Sequence, residues 1–399
     1  MTLQDLFATR MSRMKASEIR ELLKLLDQPG IISFAGGIPD PALFPSDAFA
    51  EACRRALSPQ HQAQALQYSA SEGHMPLRQW LAGGMAEIGV PCDPANILIT
   101  SGSQQALDYL GKMFLSPGDT ALVGWPTYLG ALAAFSAYEP RYDQLSPEGN
   151  RTTASYAEGA GEGAVKFAYL SPDFANPTGE TLDQAGRERV LDLAEELNCA
   201  VIEDAAYQAL RYDGTPVPPI LATEIARKGS LEDCRTIYCG SFSKTLSPGL
   251  RLGWVVAAKP VISKLVLMKQ AADLHTATLN QMAVHEVARS MFDAHCEQLR
   301  AVYSRRRDAM LAALDEHMPD GVTWTRPAGG MFIWVTLPEG ADGGQLLARA
   351  IETEKLAFVP GQAFFADGSG ANTIRLSFSN SNHAAIAEGI ARLGRLLRA

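Results

Sequence analysis

From about residue 46 onward, short apolar segments typical of β-strands alternate with longer amphipathic segments typical of α-helices. Because parallel strands are joined by helical crossovers, this alternation predicts a mainly parallel sheet whose two faces are both covered by helices. We predict helices over 104–114 and 183–198. The strands predicted around them are 97–100, 121–123, 167–170, 200–203, 236–239 and 252–256. These elements assign the chain to the α/β class.

The two ends of the chain follow a different pattern. A helix predicted over 17–27 is followed by a glycine–proline loop. A long helical stretch over about 271–315 precedes short strand candidates at 322–324, 331–337, 358–359 and 373–378, and a final amphipathic helix is predicted over 383–397. With 399 residues, the chain is long enough to form two domains.

Composition argues against several kinds of partner and site. The formal net charge of −9 and an isoelectric point near 5.4 are unfavourable for nucleic acid, which needs a basic face. No apolar run is long enough to cross a bilayer, and the first residues lack the basic and apolar regions of a secretory signal. The six cysteines form no close C-x-x-C pair, and the seven histidines form no ligand set. We therefore expect a cytoplasmic enzyme without a metal.

The most informative motif runs from Ser241 to Trp254 with the sequence SFSKTLSPGLRLGW. Lys244 stands between two hydroxyl residues at the end of a predicted strand, and Arg251 follows seven residues later. Lysine forms a Schiff base with an aldehyde, whereas serine and arginine are suitable donors to a phosphate. Pyridoxal 5′-phosphate (PLP) carries both groups, so the motif is suited to this cofactor. Taken alone, the motif is also compatible with a solvated surface lysine.

Four polar residues fall at or just past the carboxyl ends of predicted strands. They are Ser103, Asn176, Asp204 and Lys244. Ligands of open α/β sheets bind beyond these strand ends, so the four side chains should converge on one site. Simpler alternatives stay open, since Asp204 could cap a helix and Asn176, which precedes a proline, could be only a turn residue.

An ordered set of four segments resembles the fold-type I aminotransferases of classes I and II, and this resemblance covers nearly the whole chain. The segments are 171–179, 199–207, 241–254 and 373–379. The resemblance implies the α/β fold of type I PLP-dependent transferases, with a large domain built on a mainly parallel sheet and a smaller α+β domain. The large PLP-binding domain would span 46–290, and the small domain would combine 1–45 with 291–399.

The resemblance also implies a role for each residue around the cofactor ring. Lys244 would carry PLP as a Schiff base and would move the Cα proton of the substrate. Asp204 would pair with the pyridine nitrogen, while Asn176 and Tyr207 would contact the ring hydroxyl. Tyr128 would stack on the ring, although it could instead be a core aromatic.

The phosphate of the cofactor needs several donors. Ser103 and Gln104 open a helix after a glycine-containing turn, where free N–H groups and the helix dipole favour an anion. The other donors would be Ser241, Ser243 and Arg251. Tyr68 resembles the tyrosine that reaches the phosphate of the neighbouring subunit in this family. The functional unit implied is a homodimer with shared active sites.

Substrate contacts are implied for four residues. Arg375 would clamp the α-carboxylate, with Asn176 and Gly37 beside the substrate. Arg375 could instead be a surface residue on an edge strand, and the loop at Gly37 could be a plain turn. Arg20, in the predicted N-terminal helix, could pair with a distal carboxylate or could simply be solvated.

Within the family, the most similar group is the kynurenine/2-aminoadipate aminotransferases, on the segments 33–39, 66–69, 100–105 and 328–332. One departure is the Ala205-Ala206 pair before Tyr207, where that group often carries an acid and a proline. The resemblance implies ping-pong transfer of an amino group to a 2-oxo acid such as 2-oxoglutarate. The donor would be 2-aminoadipate or an aromatic or branched-chain L-amino acid.

Other functions share this fold. A carbon–sulfur β-lyase or a decarboxylase forms the same covalent complex of substrate and cofactor, and the bond that breaks depends on its orientation. A PLP-sensing transcriptional regulator carries a basic DNA-binding module in front of the fold. Here only about thirty-five residues precede the loop that begins at Phe34, and the net charge is acidic. We therefore expect an aminotransferase.

Overall fold

The computed structural model describes residues 2–14, 30–146 and 151–398. The helix predicted over 17–27, and Arg20 within it, lie outside the described residues. None of the helices in the described ranges is both long enough and apolar enough to cross a membrane.

After a short strand β1 (Ile32–Ser33), seven strands form one central sheet. They are β2 (Ile97–Thr100), β3 (Thr120–Val123), β4 (Arg141–Gln144), β5 (Val165–Leu170), β6 (Ala200–Asp204), β7 (Thr236–Ser241) and β8 (Gly253–Val256). Their order across the sheet is β2–β8–β7–β6–β5–β3–β4. Within this sheet β8 runs antiparallel to both of its neighbours, and the other pairs are parallel. The prediction of a mainly parallel sheet is confirmed.

Two strands depart from the simple alternation. β8 returns antiparallel because only residues 242–252 join it to β7, and a parallel crossover needs a dozen or more residues. β4 is absent from the prediction because its sequence, Arg-Tyr-Asp-Gln, has no apolar pattern. It lies at the edge of the sheet, where its side chains are exposed or half-buried.

Helices cover both faces of this sheet, as the alternation predicts. The α-helices in this part of the chain are α1 (Ser46–Ala56), α2 (Gln62–Leu66), α3 (Met75–Glu87), α4 (Ser103–Phe114), α5 (Leu129–Ser136), α6 (Thr153–Ala160), α7 (Gln184–Glu196), α8 (Ile220–Lys228) and α9 (Lys259–Gln270). Ile97 and Ile99 lie in the core that α1, α3 and α8 cover, whereas Leu98 lies in the core that α4, α5 and α9 cover. Strands buried on both faces need apolar residues at successive positions, which explains their continuous apolar sequences.

The long helix α10 (Thr278–His317) connects the two parts of the chain. It begins later than the predicted 271, because residues 271–277 form a turn in which Leu274 has a φ of 63°. Val284 packs into the core of the central sheet, and Tyr303 packs into a second core. One helix therefore contributes to both hydrophobic cores.

The C-terminal part contains a second, smaller sheet. The elements after α10 are β9 (Thr323–Trp324), β10 (Phe332–Thr336), α11 (Gly343–Arg349), β11 (Leu356–Ala357), β12 (Val359–Pro360), β13 (Thr373–Ser377) and α12 (His383–Arg398). Four of the strands form an antiparallel sheet in the order β12–β13–β10–β9. The predicted final helix is confirmed as α12.

The N-terminal segment after residue 30 packs with this C-terminal part. β1 pairs in parallel with β11, and Asp40 forms an ion pair with Arg306 over 2.5 Å. The segment between them carries Gly37 toward the carboxyl ends of the central strands. The domain boundaries themselves, 46–290 and 1–45 with 291–399, remain a prediction.

Candidate active site

A cavity of about 990 Å³ opens at the carboxyl ends of the parallel strands. The predicted site residues that line it are Gly37, Ser103, Gln104, Tyr128, Asn176, Asp204, Tyr207, Ser241, Ser243, Lys244, Arg251 and Arg375. They come from both sheets and from the N-terminal segment. The structure therefore brings together twelve residues that are scattered over most of the sequence.

Lys244 lies in the turn that follows β7. Its Nζ donates a hydrogen bond to the main-chain oxygen of Gly37 over 2.8 Å. The turn is anchored by the buried Phe242, whose ring packs against Trp254 with 4.8 Å between the ring centroids. The lysine is thus presented to the cavity by a turn whose neighbouring side chain belongs to the core.

The environment of Lys244 favours its neutral form. Burial lowers the pKa of the Lys244 ammonium to about 8, and the positive charges of Arg375 and Arg251 act in the same direction. Asp204 acts in the opposite direction but more weakly. A larger fraction of this side chain than of an ordinary lysine is therefore a nucleophilic amine near neutral pH.

Asp204 ends β6 and is buried, with 5% of its surface exposed. Its Oδ2 accepts a hydrogen bond from the hydroxyl of Tyr169 over 2.8 Å. Its Oδ1 is also buried, and no hydrogen bond from the described residues reaches it. Burial raises the pKa of Asp204 to about 6, while the Tyr169 hydroxyl, the main-chain N–H of Ala206 and the charge of Lys244 lower it. Asp204 is therefore an anion at neutral pH with one oxygen available to a further donor.

Arg375 lies in β13, an interior strand of the smaller sheet, and only 1% of its surface is exposed. Its Nη1 donates to Oδ1 of Asn176 and its Nη2 donates to the main-chain oxygen of Ala35, both over 2.7 Å. The guanidinium lies over the ring of Phe332, 4.2 Å from the centroid. The alternative of a surface arginine on an edge strand is therefore wrong.

The charge of Arg375 is not neutralised within the described chain. Its two hydrogen-bond acceptors are neutral, and its buried Nε has no partner there. Burial lowers the pKa of Arg375 to about 10, which still leaves it a cation at neutral pH. Because a buried charge is costly without a partner, this side chain is suited to an anionic ligand.

Asn176 and Tyr207 lie side by side on the wall of the cavity, and both are buried. The two side chains are hydrogen-bonded to each other, and burial raises the pKa of the Tyr207 phenol far above its usual value. Tyr207 also packs edge-on against Phe332, with 5.7 Å between the ring centroids. Asn176 thus connects Tyr207 with Arg375 and is more than a turn residue.

The N-terminus of α4 forms one end of the cavity. Gly102 precedes the helix with a φ of 82°, and a Cβ there would lie 2.5 Å from Nη2 of Arg251. A Cβ on Gly253 would lie 2.6 Å from the main-chain nitrogen of Ser103. The two glycines therefore allow the helix start, Arg251 and β8 to approach one another. First-turn N–H groups next to a guanidinium are suited to binding a phosphate.

Three further predicted residues contribute to this end of the cavity. The main-chain N–H of Ser243 donates to Oγ of Ser241 over 3.1 Å, which keeps the two serines together beside the helix start. The side chain of Gln104 donates from Nε2 to the main-chain oxygen of Gly130 over 2.7 Å. Gln104 therefore ties α4 to the start of α5, directly after Tyr128, and its main-chain N–H remains in the first turn of α4.

Tyr68 does not line the cavity of its own chain. It is 79% exposed, and its ring meets that of His275 edge-to-face with 6.0 Å between the centroids. Arg20 lies outside the described residues. The roles of Tyr68 and Arg20 remain predictions.

Sequence reasoning missed several residues at this site. Tyr169 bonds to Asp204, Phe332 packs under Arg375, and Arg13 lines the cavity from the N-terminal segment. A signal existed for Tyr169, because a tyrosine in an otherwise apolar, buried strand needs a partner for its hydroxyl. No comparable sequence signal marks Arg13.

The described residues contain no group of three or more histidine, cysteine, aspartate or glutamate side chains that could hold a metal ion. The chemical groups of this cavity match PLP instead. Lys244 suits its aldehyde, the α4 N-terminus with Arg251 suits its phosphate, and the open oxygen of Asp204 suits its ring nitrogen.

Comparison with known proteins gives the same result. Residues 31–393 match the family model described as aminotransferase class I and II. The chain is 45% identical to the 2-aminoadipate transaminase of Thermus thermophilus, over 99% of this chain and 97% of that protein. It is 44% identical to aromatic-amino-acid aminotransferase 1 of Thermococcus litoralis, over 98% of this chain and 94% of that protein.

Solved structures agree with these relatives. The α-aminoadipate aminotransferase of Thermus thermophilus, solved with N-(5′-phosphopyridoxyl)-L-leucine, superposes with a TM-score of 0.89 at 43% identity, covering 100% of this chain and 98% of that chain. The kynurenine aminotransferase of Pyrococcus horikoshii, in complex with pyridoxamine phosphate, gives 0.90 at 41% identity, with 99% and 98% coverage. PLP is accordingly the cofactor of this chain, and the chain belongs to the class I and II aminotransferases of fold type I.

Proposed function

We propose that this aminotransferase moves the amino group of an L-amino acid with an acidic, aromatic or branched side chain to a 2-oxo acid such as 2-oxoglutarate, in a ping-pong cycle. The observation that carries the proposal is the meeting of three side chains in one cavity. Lys244 has a depressed pKa, Asp204 has one open carboxylate oxygen, and Arg375 is a buried cation whose charge no described residue neutralises.

Lys244 and Asp204 would hold the reactive part of PLP. Lys244 would bind it covalently through its aldehyde, and Oδ1 of Asp204 would accept a hydrogen bond from the ring nitrogen. When bound, the cofactor supplies an electron sink for the bond that breaks at the substrate Cα. Asp204 would keep the ring nitrogen protonated, since an ionised acceptor strengthens such a bond.

The other cofactor contacts would fix the ring in one plane. Asn176 and Tyr207 would contact the ring hydroxyl, and Tyr128 would stack on the ring face. The phosphate would be bound by Ser103, Gln104, Ser241, Ser243 and Arg251, which lie at the same end of the cavity. These contacts would hold the reacting carbon beside the amine of Lys244.

Arg375 would bind the α-carboxylate of the amino acid through two parallel hydrogen bonds. This orients the Cα–H bond perpendicular to the cofactor ring, with Gly37 and Asn176 beside the substrate. Once the substrate amine has taken the place of Lys244 on the cofactor, the released amine of Lys244 would take the Cα proton of the substrate. Lys244 would then deliver this proton to the cofactor carbon. Its pKa of about 8 suits both steps near neutral pH.

The cavity has features that favour each proposed donor type. Arg13, Lys244, Arg251 and Arg375 line it, whereas Asp204 is the only acidic side chain among the described lining residues. Of these four, Arg13 is the one not assigned to the cofactor or to the α-carboxylate, and its charge favours substrates with a second carboxylate. The remaining wall includes the apolar residues Ile38, Leu129, Leu132, Ala133 and Ala363, which favour aromatic and branched side chains. Arg20 remains a candidate partner for a distal carboxylate.

We also propose a homodimer in which Tyr68 of one copy reaches the phosphate in the other. Its high exposure and its absence from the cavity of its own chain support this arrangement. The cysteines are all free thiols, which supports a reducing compartment such as the cytoplasm.

A donor panel tests the proposed reaction. Purified, PLP-loaded protein is mixed with 2-oxoglutarate and each candidate amino acid, and glutamate and the 2-oxo acid product are measured. We expect the two products in equal amounts, with 2-aminoadipate, aromatic or branched donors preferred. Ammonia and pyruvate from a sulfur-containing donor, without glutamate, would instead identify a β-lyase. Borohydride reduction followed by peptide mass spectrometry should find the cofactor on Lys244, and its attachment elsewhere would reject the site.

A further inference from the structure

A buried hydroxyl that none of the roles above uses lies against Asp204. Tyr169 is in β5, the strand next to β6, and it is fully buried. We propose that Tyr169 is a positioning residue whose hydroxyl fixes the Asp204 carboxylate and preserves its negative charge, leaving Oδ1 for the ring nitrogen of the cofactor. This inference rests on the proposed function, in which Asp204 pairs with that nitrogen.

The position of Tyr169 is fixed by packing on two sides. Its main chain is paired with Ile202 of β6, two residues before Asp204, so the register of two parallel strands sets the distance between the side chains. Its ring meets that of Phe135 edge-to-face, with 5.5 Å between the centroids. The hydroxyl is held 2.8 Å from Oδ2 of Asp204 and therefore restrains the carboxylate.

The direction of this hydrogen bond determines its effect on charge. Burial and the nearby Asp204 charge raise the pKa of the Tyr169 phenol well above its usual value, so the phenol keeps its proton and acts as the donor. A donor stabilises the carboxylate relative to the carboxylic acid. The bond therefore opposes the effect of burial, which raises the pKa of Asp204.

Other titratable groups near Asp204 do not replace this bond. Cys239 and Tyr238 of β7, and Tyr207 after β6, all have pKa values raised by burial and stay neutral. Lys244 is a cation in the free enzyme and would be joined to the cofactor in the loaded one. The carboxylate would then depend on the Tyr169 hydroxyl, the main-chain N–H of Ala206 and the ring nitrogen itself, and of these three Tyr169 is the side-chain donor that the protein supplies.

The test is Tyr169→Phe, loaded with PLP labelled with ¹⁵N at the ring nitrogen. In the wild-type enzyme, the ¹⁵N chemical shift should be that of a protonated pyridine between pH 6 and 8. In Tyr169→Phe the more basic Asp204 carboxylate should draw the shared proton toward itself, so the ¹⁵N shift should move toward the unprotonated value over the same pH range. We expect kcat to fall roughly 10- to 100-fold, with KM for the amino acid little changed, because the lost bond is to a charged group.

Tyr156→Phe is the matched control. Tyr156 is equally buried, and its hydroxyl accepts a hydrogen bond from the main chain of Ser146, away from the cavity. The control should keep the wild-type ¹⁵N shift and kcat. If Tyr169→Phe also keeps both, the proposal is wrong.

A double-mutant cycle separates action through Asp204 from a general loss of structure. In an Asp204→Asn background, Tyr169→Phe should cause little further loss of kcat, because the group it acts on is gone. A full additional loss would overturn the proposal. Should Tyr169→Phe fail to fold, replacing the Tyr169 side chain with 3-fluorotyrosine strengthens the donor. The ring nitrogen should then lose its proton at a lower pH, because a better-stabilised carboxylate holds the shared proton less strongly, and an unchanged titration would overturn the proposal.

Failure of the proposed function gives a different result. If the wild-type enzyme forms no glutamate with any donor, the reaction assignment fails, while the ¹⁵N titrations of wild type and Tyr169→Phe can still be compared. The ¹⁵N shift of the bound cofactor therefore tests Tyr169 independently of turnover.

Discussion

The Nζ of Lys244 donates to the main-chain oxygen of Gly37 over 2.8 Å, which joins the turn after β7 to the N-terminal segment. This segment is close to the smaller sheet, since a Cβ on Gly37 would lie 2.5 Å from Cζ of Phe332. Lys244 and Arg375 thus both donate hydrogen bonds to one short stretch of backbone, at Gly37 and at Ala35. Cofactor chemistry and substrate binding depend on the same packing.

Replacing Lys244 with methionine should stabilise the protein without cofactor below about pH 8. Burial lowers the pKa of Lys244 from 10.5 to about 8 in the folded state, so the unfolded state binds more protons between these values. The buried Lys244 therefore destabilises the folded state less and less as pH rises through this range. Below about pH 8, the folded state bears the full free-energy cost of the buried cation. The advantage of Lys244→Met should shrink as pH rises from 8 towards 10.5.

Urea unfolding of the two apo proteins at a series of pH values measures this difference. Lys112→Met, on an exposed position of α4, controls for the general effect of removing a lysine. A difference in the free energy of unfolding that stays constant with pH would contradict the assigned environment of Lys244.

Arg375→Lys should reduce kcat/KM for every amino acid donor by roughly 10²-fold. The ammonium cannot form two parallel hydrogen bonds with a carboxylate, and each charge-assisted bond is worth about 1.5–3 kcal/mol. Because the α-carboxylate is common to all donors, acidic and branched donors should lose equally. Steady-state kinetics with 2-aminoadipate and leucine measure this effect.

Arg227→Lys, at an exposed ion pair with Asp192, is the control and should leave kcat/KM unchanged. A loss of kcat/KM confined to acidic donors would show that Arg375 binds the distal carboxylate and not the α-carboxylate.

Gly253→Ala should weaken PLP binding by at least about tenfold. A Cβ at this residue would lie 2.6 Å from the main-chain nitrogen of Ser103, so the start of α4 must shift and its N–H groups lose their alignment. Titration of the apo protein with PLP, followed by absorbance, gives the dissociation constant. Gly84→Ala in α3, where a Cβ meets no atom within 4 Å, should bind PLP like the wild type. Equal affinity in both variants would argue against phosphate binding at this helix start.

Much of this site follows from the sequence because its residues stand at the ends of predictable strands. Ser103, Asn176, Asp204 and Lys244 each follow an apolar segment, and the parallel order of those strands brings them to one edge. The direction of β8 also follows from the short connection to β7. The hydrogen bond between Tyr169 and Asp204 does not follow from the sequence, because it depends on which two strands are neighbours and on their register. Strand order is a property of the whole fold and is not encoded in either segment alone.

Mixing two inactive or weakened variants tests whether Tyr68 acts across a dimer. Lys244→Ala removes the lysine, and Tyr68→Phe removes a hydroxyl that is exposed in its own chain. In a mixed dimer, one site would combine the intact Lys244 of one copy with the intact Tyr68 of the other. Co-refolded mixtures should therefore bind PLP in that site with wild-type affinity, whereas Tyr68→Phe alone should bind it more weakly. If PLP binding by the mixtures is only the average of that of the two parent variants, a shared site is excluded.

The last prediction concerns which N-terminal arginine recognises a distal carboxylate. Arg13 lines the cavity and donates one hydrogen bond to the main-chain oxygen of Pro140, while Arg20 is proposed for the same role from its sequence context. If Arg20 is the partner, Arg20→Ala should lower kcat/KM for 2-aminoadipate and glutamate roughly 10-fold or more and leave leucine nearly unchanged, since only the acidic donors lose a charge-assisted bond. Arg13→Ala is made for comparison, because it removes the same charge from a residue that lines the cavity. Equal losses for acidic donors and leucine in Arg20→Ala would reject a recognition role, and a selective loss in Arg13→Ala would transfer that role to Arg13.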